Sequence, residues 1–351
     1  MTEGHVSVSV LVPVYNAAPY LDECLKSLCS QSLRNIELVC VDDASTDGSL
    51  AILREWAARD SRVKVVRADA NGGLSRTRNL AMGHASGEYL LLVDSDDWLE
   101  PGTLALMYER AKTLDADKLV CGFRYYYEDA PDREDCFLPD DPAEPGQGWF
   151  PCTPETIGRM HHGAGGSMIR RAIVEEYGLR FPEGVLCEDL YFHHAAFPRC
   201  RRACIVRQPL YVYRKRCGTI TSDFASGQSL KSLDYLTVAE LVLNEWRRAG
   251  LLEEYRRAFL HMLVMCVRNI RKYAPHSSQR DVTRKVCEML NSGNLYRPAE
   301  DDGKLSKRER TLLTAWMAGK SGLDGSYYWK KLVKAVKRAC RRRTHDQPSQ
   351  P

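Results

Sequence analysis

The chain has 351 residues, of which 44% are hydrophobic and 27% charged, the balance of a soluble globular protein of about two domains. Wholesale disorder is excluded, and apolar runs such as residues 89–93 fall far short of the ~20 residues of a membrane span. The net charge of +4 combines eight basic residues without an acid in 326–343 with a remainder of −4, which is not the pattern of a nucleic-acid-binding domain.

From the start, residues 6–12 alternate like a strand and lack the apolar length of a signal peptide, so a cytoplasmic protein is expected. Strand-like runs at 6–12, 36–41, 63–67 and 89–93 recur about every 27 residues. Between them Leu21, Leu25 and Leu28, then Leu50, Leu53 and Trp56, each mark one face of a helix. Apolar strands alternating with helices predict an α/β fold with a mostly parallel central sheet covered on both faces. Residues 128–150 are acidic and proline-rich with few aliphatics, and read as a surface loop or insertion. From 226 onward the pattern is helical, at 230–249, 251–273, 282–291 and 307–318, predicting a smaller all-α C-terminal part. The thirteen cysteines are scattered without a CxxC pair and read as buried free thiols. A zinc site from Cys200, Cys204, Cys217, His193 and His194 has no familiar ligand spacing.

Ligands of parallel sheets bind beyond the carboxyl ends of the strands. Three strand ends are rich in acids and turn residues: Val12-Pro13-Val14-Tyr15-Asn16, Asp42-Asp43 through Ser49, and Asp94-Ser95-Asp96-Asp97-Trp98. Like charges converging on one rim need a cation. A divalent metal, Mg²⁺ or Mn²⁺, holding a diphosphate meets that need. Taken singly, Asp42-Asp43 with Ser45 or Asp47 is a helix cap, and the Asp94–Asp97 run an acidic turn.

Four segments in this order and spacing, VSVLVPVYN, VCVDDASTDGS, NGGLSRTRNLAMGHASGEY and LLLVDSDDW, resemble the family 2 glycosyltransferases, inverting enzymes with the nucleotide-sugar-binding GT-A fold. The resemblance covers residues 6–125 strongly and 166–221 more loosely. It implies a nucleotide-sugar donor, with Pro13 and Tyr15 flanking the base, Tyr15 stacking on it, and Asp43 accepting the base imide N–H, which favours a UDP-sugar. It sets Arg78 near the nucleotide. Asp94-Ser95-Asp96 looks like the DxD motif, with Asp96 on the metal and Asp94 on the ribose or a metal-bound water. Glu188-Asp189 resembles the acidic motif opening the acceptor-side helix, with Asp189 as general base and Glu188 supporting it or the metal. Arg214 and Arg216 lie in what looks like the closing loop, facing the diphosphate.

The expected enzyme transfers a hexose-type sugar to a saccharide or lipid-linked acceptor in bacterial surface-polysaccharide assembly. The expected division is a glycosyltransferase domain at 1–225, helices at 226–325 and a basic amphipathic tail at 326–351. In that tail, residues 327–343 suit an anionic membrane surface, which would make the protein peripheral at the inner face. A nucleotidyltransferase would need a Gly-rich basic loop after the first strand, and a nicotinamide enzyme a GxGxxG there, and PVYNAAPY is neither. A non-catalytic nucleotide-sugar-binding protein stays open as an alternative.

Overall fold

The computed structural model describes residues 5–216, 230–274 and 278–317. Its first half alternates strand and helix: β1 (Val8–Val14), α1 (Ala18–Cys29), β2 (Ile36–Asp42), α2 (Ser49–Arg59), β3 (Val63–Arg67), α3 (Leu74–Gly83) and β4 (Tyr89–Leu92). Then come β5 (Trp98–Leu99), α4 (Thr103–Thr113), β6 (Lys118–Tyr127), β7 (Asp135–Phe137), β8 (Phe150–Pro151), β9 (Ser167–Arg170), α5 (Arg171–Glu176), α6 (Glu188–Ala196) and β10 (Arg202–Lys215). All ten strands form one sheet. Its main order is β3-β2-β1-β4-β9-β6-β10-β5, with β7 on β6 and β8 on β10.

The mostly parallel sheet is as the periodicity predicts. β1 and β2 are buried along their whole length because both faces are covered. Val8, Val10 and Val12 pack with Leu21, Leu25 and Leu28 on one face, while Leu11 packs with Val41, Ala81 and Met82 on the other. Two features differ from the sequence expectation. β9 inserts antiparallel between β4 and β6. β1 also runs two residues further than expected, through Pro13, which pairs with Val41. A proline can sit there because Leu11 O accepts Val93 N–H on the β4 side (3.0 Å) and Val14 O accepts Asp43 N–H on the β2 side (2.8 Å). Pro13, two residues after Leu11, therefore turns its missing N–H toward β4, which has ended at Leu92.

The C-terminal helices α7 (Asp234–Arg248), α8 (Leu252–Tyr273), α9 (Gln279–Asn291) and α11 (Lys307–Met317) fall close to their predicted positions, and the short α10 (Pro298–Asp301) is unexpected. They share a hydrophobic cluster with Val120 of β6, Phe150 of β8 and Ile205 of β10. Trp246 is fully buried there, and its Nε1–H donates to His194 O at 2.9 Å, anchoring α6. Truncating an aromatic in such a core costs on the order of 3–5 kcal/mol. Residues 128–150 are mainly irregular, with β7 folding back on β6. Among the described residues the cysteines are free, and no helix is long and apolar enough to cross a membrane. The basic tail expected at 326–351 lies outside the described residues, as does the loop after Arg216.

Candidate active site

The parallel pairing of β1 with β2 and β4 brings all three acidic strand ends to one rim. Between β1 and α1, Asn16 adopts a left-handed φ of 49°. Its side-chain oxygen accepts Thr46 N–H (2.8 Å), and its own N–H donates to Ser45 Oγ (3.0 Å). Asp47 takes the N–H groups of Ser49 (2.9 Å) and Ala18 (3.1 Å), so it caps α2 as predicted while tying that loop to α1. These bonds staple the first two strand ends together and leave Tyr15 standing out at 50% exposure. Pro13, just before it in sequence, is buried within its strand.

Asp43 is buried, and its two oxygens accept the N–H groups of Gly72 and Gly73, each at 2.9 Å. It thereby fixes the entry to α3, where Gly73 has a φ of 81°. An ionised carboxylate has about four acceptor positions, so two remain for a ligand N–H.

From α3, Arg78 reaches the centre of the rim. It is 3% exposed, with one guanidinium nitrogen on Asp94 Oδ1 (2.7 Å) and another on Glu188 Oε1 (2.6 Å). It joins the acidic end of β4 to the start of α6, across 110 residues of sequence. Burial pushes the Glu188 carboxyl up to about 7, with Arg78 opposing and Asp189 adding to the rise. Asp189 is partly exposed beside it, and its Oδ1 accepts Leu190 N–H at 2.7 Å at the helix N-terminus. Asp234 at the start of α7 accepts Leu186 N–H (2.9 Å), so the helical part also holds the approach to α6.

The acidic turn after β4 is organised by a residue to which the sequence assigns no role. Tyr211 of β10 is buried, its hydroxyl accepting Asp94 N–H (3.1 Å) and donating to Asp97 Oδ2 (2.6 Å). Asp97 also accepts Arg214 N–H at 2.9 Å, so it is a structural member of the turn. Burial, together with Asp94 and Asp96, raises its carboxyl well above the usual range. Burial and Asp94 raise Asp96 as well, against the opposing Arg216, whose guanidinium lies 2.9 Å from Asp96 Oδ2. Arg214 is committed to the turn. Its Nε donates to Asp96 O (2.9 Å), its guanidinium lies among Tyr20, Trp98 and Tyr126, and it pairs with Glu23 and Glu128. Trp98 belongs to that aromatic box. No local signal marks Tyr211, because its partners lie more than a hundred residues away.

Among the described residues no three His, Cys, Asp or Glu side chains gather as a metal cage, and Cys217 of the zinc arrangement lies outside them. The rim still fits a hard divalent ion. Asp94 and Asp96 provide carboxylate oxygens whose mutual repulsion an ion would relieve, and diphosphate and water would complete the shell. Removing the Tyr211 hydroxyl tests how the turn is held. Tyr211→Phe leaves a buried carboxyl and the Asp94 N–H each short of a partner, and should lower stability by about 1–3 kcal/mol in chemical denaturation.

The glycosyl transferase family 2 model matches residues 9–178, which spans the whole rim except α6 and β10. The cholesterol galactosyltransferase of Borreliella burgdorferi is 30% identical over 275 residues, covering 72% of each chain. The chain belongs to glycosyl transferase family 2. An uncharacterized glycosyltransferase of Bacillus subtilis, EpsJ, is 29% identical to this family 2 glycosyltransferase across 81% of the chain and 83% of that protein. TarS of S. aureus, solved with UDP-GlcNAc, superposes with a TM-score of 0.68 at 22% identity, over 90% of this chain and 88% of that one. That likeness shows a shared GT-A fold.

Proposed function

We propose that this glycosyltransferase is inverting and metal-dependent. It moves a hexose-type sugar from a UDP donor to a saccharide or lipid-linked acceptor in surface-polysaccharide assembly. The observation that carries the reading is Arg78, which holds Asp94 and Glu188 in one ion-paired unit. Donor-side and acceptor-side acids thus meet on one rim, as a single in-line displacement requires.

Tyr15 stacks on the uracil and Asp43 accepts its imide N–H. Asp189 takes the proton of the acceptor hydroxyl as the new bond forms at the anomeric carbon and the bond to the diphosphate breaks on the opposite face. Glu188, tied to Arg78, orients the base. Arg216, at the edge of the site, exchanges Asp96 for the leaving diphosphate. Asp96 and Asp94 would hold a divalent ion, which would neutralise charge on that leaving group. The protein acts in the cytoplasm, peripheral to the membrane through residues 327–343. Its three parts are 1–225, 226–325 and 326–351.

The test is a panel of nucleotide sugars screened for nucleotide release with and without Mn²⁺. Release from a UDP-sugar, stimulated by metal, is expected, and a panel without any turnover would favour the non-catalytic reading. EDTA should abolish this release. Asp96→Ala should do the same and Asp94→Ala less so, whereas full activity in EDTA removes the metal from the mechanism. Calorimetry with Mn²⁺ should give tighter binding of UDP than of GDP by about 1–3 kcal/mol, one hydrogen-bond partner's worth. Equal affinities sink the uracil assignment.

A further inference from the structure

Beside Asp189 lies a small cavity whose polar lining is Lys118, His162, Ser167 and His193, with Asp189 itself in its wall. Lys118 opens β6 beside Ile169 of β9 and is 3% exposed. Its ammonium donates to Ser167 Oγ at 2.9 Å, and among the described residues no carboxylate pairs with it. An ammonium has three donors, so two are left over in a place where an unpaired donor is costly. Burial accordingly holds it below the ordinary lysine range.

His193 of α6 has the complementary deficit. Its Nε2 lies 3.0 Å from Ile157 O, and a carbonyl only accepts, so Nε2 carries the proton. Nδ1 is then a bare acceptor, buried and without a partner. Burial, the adjacent His194 and Lys118 keep the ring neutral.

The cavity has room for about one water-sized group. A phosphate or a carboxylate is too large, and neither would donate to His193. A hydroxyl is the right size, accepts from Lys118 and donates to His193. Asp189 shares the cavity wall, so a hydroxyl seated deeper belongs to the carbon next to the one that reacts.

We propose that Lys118 and His193 form an acceptor subsite for the hydroxyl adjacent to the reacting one, so that the acceptor presents a vicinal diol. The proposal rests on Asp189 being the base. It makes Lys118 a specificity-determining residue that leaves the donor untouched.

The test uses the full chain with a UDP-sugar, Mn²⁺ and a panel of methyl hexopyranosides, followed by deoxy analogues of the glycoside accepted best. Removing one hydroxyl flanking the reacting carbon should lower wild-type kcat/KM about 10- to 100-fold. In Lys118→Met the parent glycoside should already show that loss, mainly as a raised acceptor KM, and deoxygenation should cost no more than about twofold further. UDP affinity should match wild type. Ser167→Ala, which only loosens Lys118, should show the same non-additivity in weaker form if Lys118→Met folds poorly. Three outcomes overturn the proposal: deoxygenation costing both proteins equally, turnover to water but to no vicinal diol, or a water still bound to Lys118 in an acceptor complex. Failure of the underlying reading is distinct, since it shows as wild-type protein that binds no UDP or as Asp189→Asn that keeps normal turnover.

Discussion

Asp189→Asn should lower transfer roughly 100- to 10,000-fold while UDP binding persists. Asparagine keeps the oxygen that accepts Leu190 N–H, so the first turn of α6 is preserved. It cannot take a proton. Glu188 is already engaged by Arg78 and sits largely buried at the helix start. Nucleotide release measured with and without acceptor, beside calorimetry with UDP, separates loss of chemistry from loss of binding. Near-normal turnover by the variant would transfer the base assignment to Glu188.

Arg78→Met should be the most damaging change to stability on the rim. Methionine fills much of the same volume, but Asp94 and Glu188 would face each other with no cation between them. Breaking a buried pair by removing one partner costs about 3–5 kcal/mol. The lower end of that range is expected, since the Asp94 side chain is 30% exposed and water screens it in part. Adding Glu188→Gln to Arg78→Met should recover part of the loss, because the second carboxylate is then gone. Urea denaturation of wild type and the single and double variants decides it. A loss under about 1 kcal/mol would place the pair with surface salt bridges, which contribute little.

Much of the donor half is legible in the sequence because its signals are local. The runs at 36–41 and 63–67 match β2 and β3 to within a residue, since each is a short apolar stretch closed by turn residues. The two long C-terminal helices are readable with looser ends, because a 3.6-residue period sustained over α7 and α8 has one structural outcome. The misplaced end of β1 has a different origin. Whether a proline ends a strand depends on which neighbour its missing N–H faces, and that is a property of the sheet.

The order of the four motifs and their spacing determined by themselves the parallel sheet, the acidic rim and the family, because three of them join an apolar strand to a turn within about ten residues and the remaining one carries the turn and helix α3. The tertiary structure alone decided how the acids are used. Arg78 selecting Asp94 and Glu188, Tyr211 bracing Asp94 and Asp97, and Lys118 left with a single hydroxyl partner all depend on strands that meet out of chain order. Such contacts follow from sheet register and from which buried donors find acceptors, and neither quantity has a period or a spacing that a linear sequence displays.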